Sequence, residues 1–330
     1  MLTVVATLSL IALATTTILL FFARRILTVF GVLDVPNHRS SHSQVTVRGA
    51  GIALLVGLIV AVSLCTVVEI DSLTLLFSVF IPAFIVAVVG FVEDVRGLSM
   101  KTRLCSQIVI GIALGICVEA NSLPRFLWVF ICGVSFAAYV NFANFMDGIN
   151  GISGLHGFVV GGSFFLFGVV ESTEWLQIAG ALIAVVFLAF LPANFRKPGM
   201  FLGDVGSYLL GGSIAAVSIV ALAQGLHWFV VLSPLVIYLF DTIFTILNRF
   251  RRGESIVEAH RSHIYQKLTI MGFSHLSSAL VVTIFTVLNS LVGFCYLSEF
   301  LSIGPAILIV VLLCVAYGLT PALIRKNPNA

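Results

Sequence analysis

Apolar runs of about twenty residues, nearly free of charge, recur from one end of this chain to the other. The stretches 2–22 and 49–68 contain no Asp, Glu, Lys or Arg at all. Ordinary globular sequence carries about 25% charged residues, whereas this one carries 9%, with 60% hydrophobic residues and a mean hydropathy of +1.16. A soluble enzyme is excluded. Crossing a bilayer takes roughly 20 apolar residues per helix, and that length divides the 330 residues into spans near 2–22, 49–68, 73–92, 104–119, 125–143, 156–170, 175–193, 206–225, 227–247, 277–297 and 301–321. The expected fold is an all-α polytopic membrane bundle of about eleven transmembrane helices, a single domain over residues 1–330.

Charge placement orients the bundle. Sixteen of the 17 Lys and Arg lie on alternate connections, 24–48, 96–103, 196–197, 249–267 and 325–326, and only Arg125 lies on the other set. By the positive-inside rule the first set faces the cytoplasm, so the C-terminus lies inside and the N-terminus outside. Arg24 and Arg25 follow the first span with no basic region ahead of it, the reverse of a cleaved signal peptide, so this span is expected to remain attached. The outer connections are short, which leaves function to the inner loops 24–48, 92–103, 143–155, 194–205 and 248–276. A net charge of only +3 argues against a nucleic-acid partner. The six cysteines stand singly in or beside apolar runs, a pattern of packing rather than of disulfides or zinc.

Several inner acids sit beside apolar sequence, where an unpaired charge costs roughly 2.5–3.5 kcal/mol. Glu93-Asp94 ends the third span, Asn144 to Gly151 follows the fifth and includes Asp147 and Asn150, and Gly203-Asp204-Val205-Gly206-Ser207 opens the eighth. Oxygen donors among small residues suit a hard cation such as Mg²⁺, which keeps waters and recruits substrate phosphates. The competing reading of each acid is a helix cap or a partner for a nearby Arg. Asp241 is expected about six residues from the inner end of the ninth span; an embedded acid marks function unless it serves a helix–helix hydrogen bond. Beyond it, His260, Arg261 and His263 lie among further Arg and Lys, a set matched to phosphate oxygens. Zinc at the His pair and a polybasic strip on acidic membrane lipid are the alternatives there. The first inner loop, Asp34-Val35-Pro36-Asn37-His38-Arg39-Ser40-Ser41-His42 and then Arg48-Gly49-Ala50-Gly51, repeats imidazole, guanidinium and glycine. Acids beside bases at a bilayer surface suggest phosphoryl transfer with a substrate arriving from the lipid.

These five blocks, colinear from Asp34 to about Lys267, resemble the polyprenyl-phosphate N-acetylaminosugar-1-phosphate transferases, glycosyltransferase family 4. The block Ala259-His260-Arg261-Ser262-His263-Ile264-Tyr265-Gln266 is similar to the version in UDP-GlcNAc:undecaprenyl-phosphate transferases that initiate O-antigen or other surface polysaccharide, and less like the triple-His form of the phospho-MurNAc-pentapeptide transferase. The resemblance implies an enzyme of the bacterial inner membrane in which UDP-N-acetylaminosugar and undecaprenyl phosphate give undecaprenyl-diphospho-sugar and UMP, with Mg²⁺ or Mn²⁺. It implies Asp204 as leading metal ligand, with Asp94 at the lipid-phosphate acceptor or the metal and Asp147 as a further ligand. Asn144 and Asp147 would orient the nucleotide side, His260, Arg261 and His263 would bind the diphosphate, and Arg48, Glu93, Asn150 and Asp241 would line the substrate site. Glu93 stands where the family has an Asp. A homodimer is expected for such proteins. The rival classes are a polytopic transporter, disfavoured because no charge sits at mid-span and no repeat is evident, and a catalytically silent relative.

Overall fold

The computed structural model describes residues 1–29, 33–34, 46–68, 70–120, 123–196, 199–255 and 261–323, the pair 33–34 by backbone alone. Expectations that rest on the Asp34 side chain, Asn37, Arg39, His42 or His260 lie outside the described residues. The helices are α1 (Leu2–Val29), α2 (Gly51–Leu64), α3 (Leu73–Arg96), α4 (Met100–Cys117), α5 (Arg125–Met146), α6 (Ile152–Val170), α7 (Glu174–Phe195), α8 (Gly203–Ala223), α9 (Trp228–Leu232), α10 (Val236–Arg251), α11 (Ile264–Ile270), α12 (His275–Leu297) and α13 (Ile303–Leu323). With α9 and α10 taken together, ten segments among the described residues are long and apolar enough to cross a membrane, and α2 is a shorter apolar helix of 14 residues. The protein is an all-α polytopic membrane bundle, as its apolar runs require.

Helix ends depart from the apolar runs where polar chemistry decides them. Helix α4 begins four residues early, at Met100, because Ser99 accepts from the Thr102 N–H at 3.1 Å and caps it, although its first turn contains Lys101 and Arg103. The ninth run is not continuous. Pro234 lacks a backbone donor, and a 3-10 turn over Ser233–Leu235 separates α9 from α10.

Helix α8 is the centre of the bundle and is buried without interruption from Val205 to Ala221. Helices α2, α3 and α5 pack around it. In lipid, helices associate through close packing rather than hydrophobic expulsion, so small residues mark the contacts. A Cβ at Gly211 would lie 2.6 Å from the Val140 Cα, and one at Gly212 would lie 2.5 Å from the Val86 Cγ1. Helix α13 is mostly exposed and presents residues such as Leu308 and Leu312 to lipid.

Two short strands, β1 (Leu33–Asp34) and β2 (Thr46–Val47), pair antiparallel, and Val47 forms a parallel bridge with Met200. The Phe201 N–H donates to the Val47 carbonyl at 2.8 Å, and the N–H groups of Ala50 and Gly51 donate to Phe201 and Leu202 at 3.0 and 2.9 Å. The chain on both sides of Arg48 is thereby stitched to the segment that leads into α8.

Candidate active site

The end of α3 meets the start of α8 at Gly90, where a Cβ would lie 2.8 Å from the Val205 N. That approach delivers Asp94 to the α8 N-terminus. Its carboxylate accepts from the Asp204 N–H at 3.0 Å and the Val205 N–H at 2.9 Å, satisfying first-turn donors that a helix leaves unpaired. Gly203 enters the helix at φ +76°, and a Cβ there would lie 2.7 Å from Asp94 Oδ2. Arg48, fixed by its stitched backbone, spans both acids: its Nε lies 2.8 Å from Asp94 Oδ1 and one terminal nitrogen lies 2.9 Å from Asp204 Oδ2. From α5, the Asn144 amide donates to Asp204 Oδ1 at 2.8 Å and to the Ser207 hydroxyl at 3.0 Å. Four elements distant in sequence therefore meet in one acid–guanidinium–amide cluster.

One turn further along, α5 ends and Asp147 follows as its C-cap. The Ser153 hydroxyl donates to Asp147 Oδ1 at 2.6 Å. Burial pushes the Asp147 carboxyl up to about 6, against the Ser153 hydrogen bond, and the charge of nearby Asp204 adds to the rise. The turn is braced from α11, because the Tyr265 hydroxyl donates to the Phe145 carbonyl at 3.0 Å and leaves no room for a Cβ at Gly148.

Asp241 is fully buried on α10 and surrounded by donors. Its Oδ1 accepts from the Ile264 N–H at 3.0 Å and from Thr245 at 3.3 Å and lies 3.1 Å from His263 Nδ1; its Oδ2 accepts from the Tyr317 hydroxyl at 2.7 Å. Asp241 thus ties α10 to α13 and to the start of α11. Expected to line the substrate site, with a helix–helix hydrogen bond as the competing reading, Asp241 makes that hydrogen bond, to Tyr317 of α13, and holds the His263 loop. His263 is itself buried and caps α11, its side chain and that of Gln266 forming a reciprocal box.

The other candidates separate by role. Glu93 points away from the acid pair: it forms an ion pair with Arg103 at 3.0 Å and accepts from the Leu98 N–H, closing the α3–α4 corner. Asn150 donates to the Asn194 carbonyl at 3.0 Å, and the Asn194 amide donates to the Met200 carbonyl at 2.8 Å, joining the Asp147 loop to the α7–α8 loop. Arg261 is exposed beside His263. Ser153, Tyr238, Tyr265 and Asn194 contribute to the site without having been singled out for a role. Tyr238 lies three residues before Asp241, one helical turn, which is the spacing that would have found it.

Among the described residues, no three His, Cys, Asp or Glu side chains gather into a ready-made metal cage. The expected trio of Asp94, Asp147 and Asp204 divides into a pair and a neighbour: Asp94 and Asp204 share Arg48, and Asp147 is held on Ser153. Mg²⁺ is bound by one or two carboxylates, waters and substrate phosphates. The pair meets that requirement, with the Arg48 guanidinium as a stand-in cation between its oxygens. Asp204, 15% exposed, is the open donor, whereas Asp94, 1% exposed, is committed to the α8 backbone. Beside α10, an apolar groove of about 470 Å³ runs between α9–α10 and α13, lined by residues such as Trp228, Phe240, Phe244, Leu247 and Val311.

Fold and site define a multi-pass membrane protein in which Arg48, Asp94, Asn144 and Asp204 meet in one cluster. The model of glycosyl transferase family 4 matches residues 76–222, a stretch that contains Asp94, Asn144, Asp147 and Asp204. The chain is 26% identical over 294 residues to a probable undecaprenyl-phosphate N-acetylglucosaminyl 1-phosphate transferase of Bacillus subtilis, covering 82% of this chain and 79% of that one. A decaprenyl-phosphate N-acetylglucosaminephosphotransferase of Mycolicibacterium smegmatis is 26% identical over 315 residues, 81% of this chain and 77% of its own. An undecaprenyl-phosphate alpha-N-acetylglucosaminyl 1-phosphate transferase of Escherichia coli is 25% identical over 336 residues, 94% of this chain and 88% of its own.

Proposed function

We propose that this protein transfers an N-acetylaminosugar-1-phosphate from a UDP-sugar to undecaprenyl phosphate at the cytoplasmic face of a bacterial inner membrane, as the first step of a surface polysaccharide of the O-antigen kind. The observation that carries the reading is the cluster of Arg48, Asp94, Asp204 and Asn144 at the bundle end that the charge distribution assigns to the cytoplasm. The relatives' names supply the lipid acceptor, undecaprenyl phosphate, and the transferred N-acetylglucosaminyl 1-phosphate group.

In the proposed reaction an oxygen of the lipid phosphate attacks the sugar-bearing phosphorus, the bond to the bridging diphosphate oxygen breaks, and UMP leaves with that oxygen. A phosphate monoester, with a second pKa near 6, is largely dianionic at pH 7, so the attack needs no strong base. Asp204 and Asp94 would hold Mg²⁺, which would neutralise charge on the phosphate oxygens. Arg48, which bridges the two carboxylates, would offer its guanidinium to phosphate as well, and Asn144 holds Asp204 through its amide. Asp147, with its carboxyl at about 6, is poised to exchange a proton near neutral pH. His263 and Arg261 would meet the diphosphate from the loop that Asp241 anchors. The groove along α10 and α13 offers apolar cover for part of the isoprenoid.

The test is to incubate purified protein with undecaprenyl phosphate, Mg²⁺ and a panel of UDP-sugars, and to follow UMP and lipid product by mass. A diphospholipid product with one UDP-N-acetylaminosugar is expected. It should be lost in Asp204→Asn while the variant still inserts. No product across the panel, beside an active control enzyme, would overturn the reading.

A further inference from the structure

Beneath Asp147 lies a line of buried polar side chains that the proposed chemistry does not use. Ser153, which donates to Asp147 at 2.6 Å, stands in the first turn of α6. The Tyr238 hydroxyl, from α10, donates at 3.3 Å to the carbonyl of Ile152, the residue just before Ser153. His156 lies flat on the Tyr238 ring, with centroids 3.4 Å apart and planes 5° from parallel. Its Nε2 is 2.9 Å from the Tyr139 hydroxyl of α5, while its Nδ1 is buried with no partner. Plain packing among α5, α6 and α10 would be served better by Phe at these positions, since an orphaned buried nitrogen is costly. What the polar groups add is direction: Tyr139 orients His156, His156 sets the plane of Tyr238, and the line ends on the Ile152 carbonyl, one residue before the hydroxyl that holds Asp147.

We infer that Tyr238, held in plane by His156 and Tyr139, is a positioning residue that fixes the first turn of α6 through the Ile152 carbonyl, and with it Ser153 and the Asp147 carboxylate. The inference rests on the reading of Asp147 as part of the active site. It also gives α10 a double duty, because Asp241, one turn along the same helix, anchors the His263 loop. One rigid helix then sets the spacing between the Asp147 turn and the loop proposed to bind diphosphate.

The test compares the full-length protein with Tyr238→Phe, Ser153→Ala and the double variant. Each is assayed for UMP release and, without substrates, for amide hydrogen exchange in peptides that span residues 144–155. Each single change is expected to lower kcat about fivefold, the rate equivalent of one hydrogen bond, with KM altered less than about twofold. Exchange should rise in the same peptides. The double variant should be no slower than the slower single, because both changes cut the same chain of contacts. Multiplying losses in the double variant, or exchange and kcat left unchanged by Tyr238→Phe, would overturn the inference. Failure of the wild type to release UMP would defeat the transferase reading alone, and the exchange comparison would still decide the positioning role.

Discussion

A single methyl group placed far from any reacting atom offers the sharpest test of how the site is assembled. In Gly90→Ala the new Cβ would press on the Asp204 carbonyl, 2.6 Å from its carbon and 2.8 Å from the Val205 N. Both contacts are backbone, so neither can rotate away. Carbon atoms rest about 3.5–4.0 Å apart, so α3 and α8 must separate by roughly 1 Å. That separation draws Asp94 off the N–H groups of Asp204 and Val205, now 3.0 and 2.9 Å away, and slackens the Arg48 bridge. Overpacking of this kind costs about 1–3 kcal/mol of stability, which a large bundle survives. A misplacement of about 1 Å in a catalytic group costs on the order of 10²-fold in rate. The variant should therefore insert, fold and lose about 99% of its UMP release. Gly162→Ala is the matched control, because a Cβ there meets nothing within 4 Å. Wild-type turnover in Gly90→Ala, measured beside that control, would refute the argument that α3–α8 contact sets the site.

Three further outcomes follow from particular contacts. Asp241→Asn leaves the Tyr317 hydroxyl and His263 poorly matched in a fully buried setting, at roughly 1–3 kcal/mol for each unsatisfied group; the thermal midpoint should fall, KM for the nucleotide sugar should rise as the His263 loop loosens, and an unchanged midpoint would remove Asp241 from its anchoring role. Glu93→Gln weakens a partly exposed pair with Arg103, worth under about 1 kcal/mol, and should leave kcat within roughly twofold; a hundredfold loss would place Glu93 among the reacting groups. The Asp147 carboxyl, at about 6 in the fold against an ordinary 3.8, favours its protonated form, so its contribution to stability is complete below about pH 4 and is lost as pH rises through about 6. Asp147→Asn should flatten the pH dependence of the thermal midpoint across that window, and profiles that stay parallel to wild type would count against the shift.

The helices were legible because bilayer thickness imposes a length that composition cannot disguise. Where boundaries moved, as at Ser99 and Pro234, one polar or backbone-deficient residue overrode the apolar count. Motif spacing was legible too, since glycines flank Arg48 and Asp204 wherever backbone must approach backbone. Roles were less so. Glu93 and Asp94 are adjacent in sequence, yet neighbouring positions on a helix point about 100° apart. Asp94 therefore turns to α8 while Glu93 turns to Arg103 at the α4 corner. No reading of the dipeptide separates them without the neighbour of each face.

The same limit explains why three expected metal ligands became a pair and a neighbour. Asp94 and Asp204 meet because Gly90 and Gly203 carry no Cβ at the crossing of α3 and α8, and Arg48 joins them because Gly51 packs against Gly206. Asp147 hangs on a turn instead. Its direction is set by Ser153 and Tyr238 from one side and Tyr265 from the other, residues whose sequence neighbours advertise nothing. Acids announce that charge must be compensated near a membrane face; which acids share a cation is decided by the residues small enough to let backbones touch. In a bundle held together by close approach rather than by hydrophobic expulsion, the glycines at the crossings therefore carry more information about the geometry of the site than the carboxylates do.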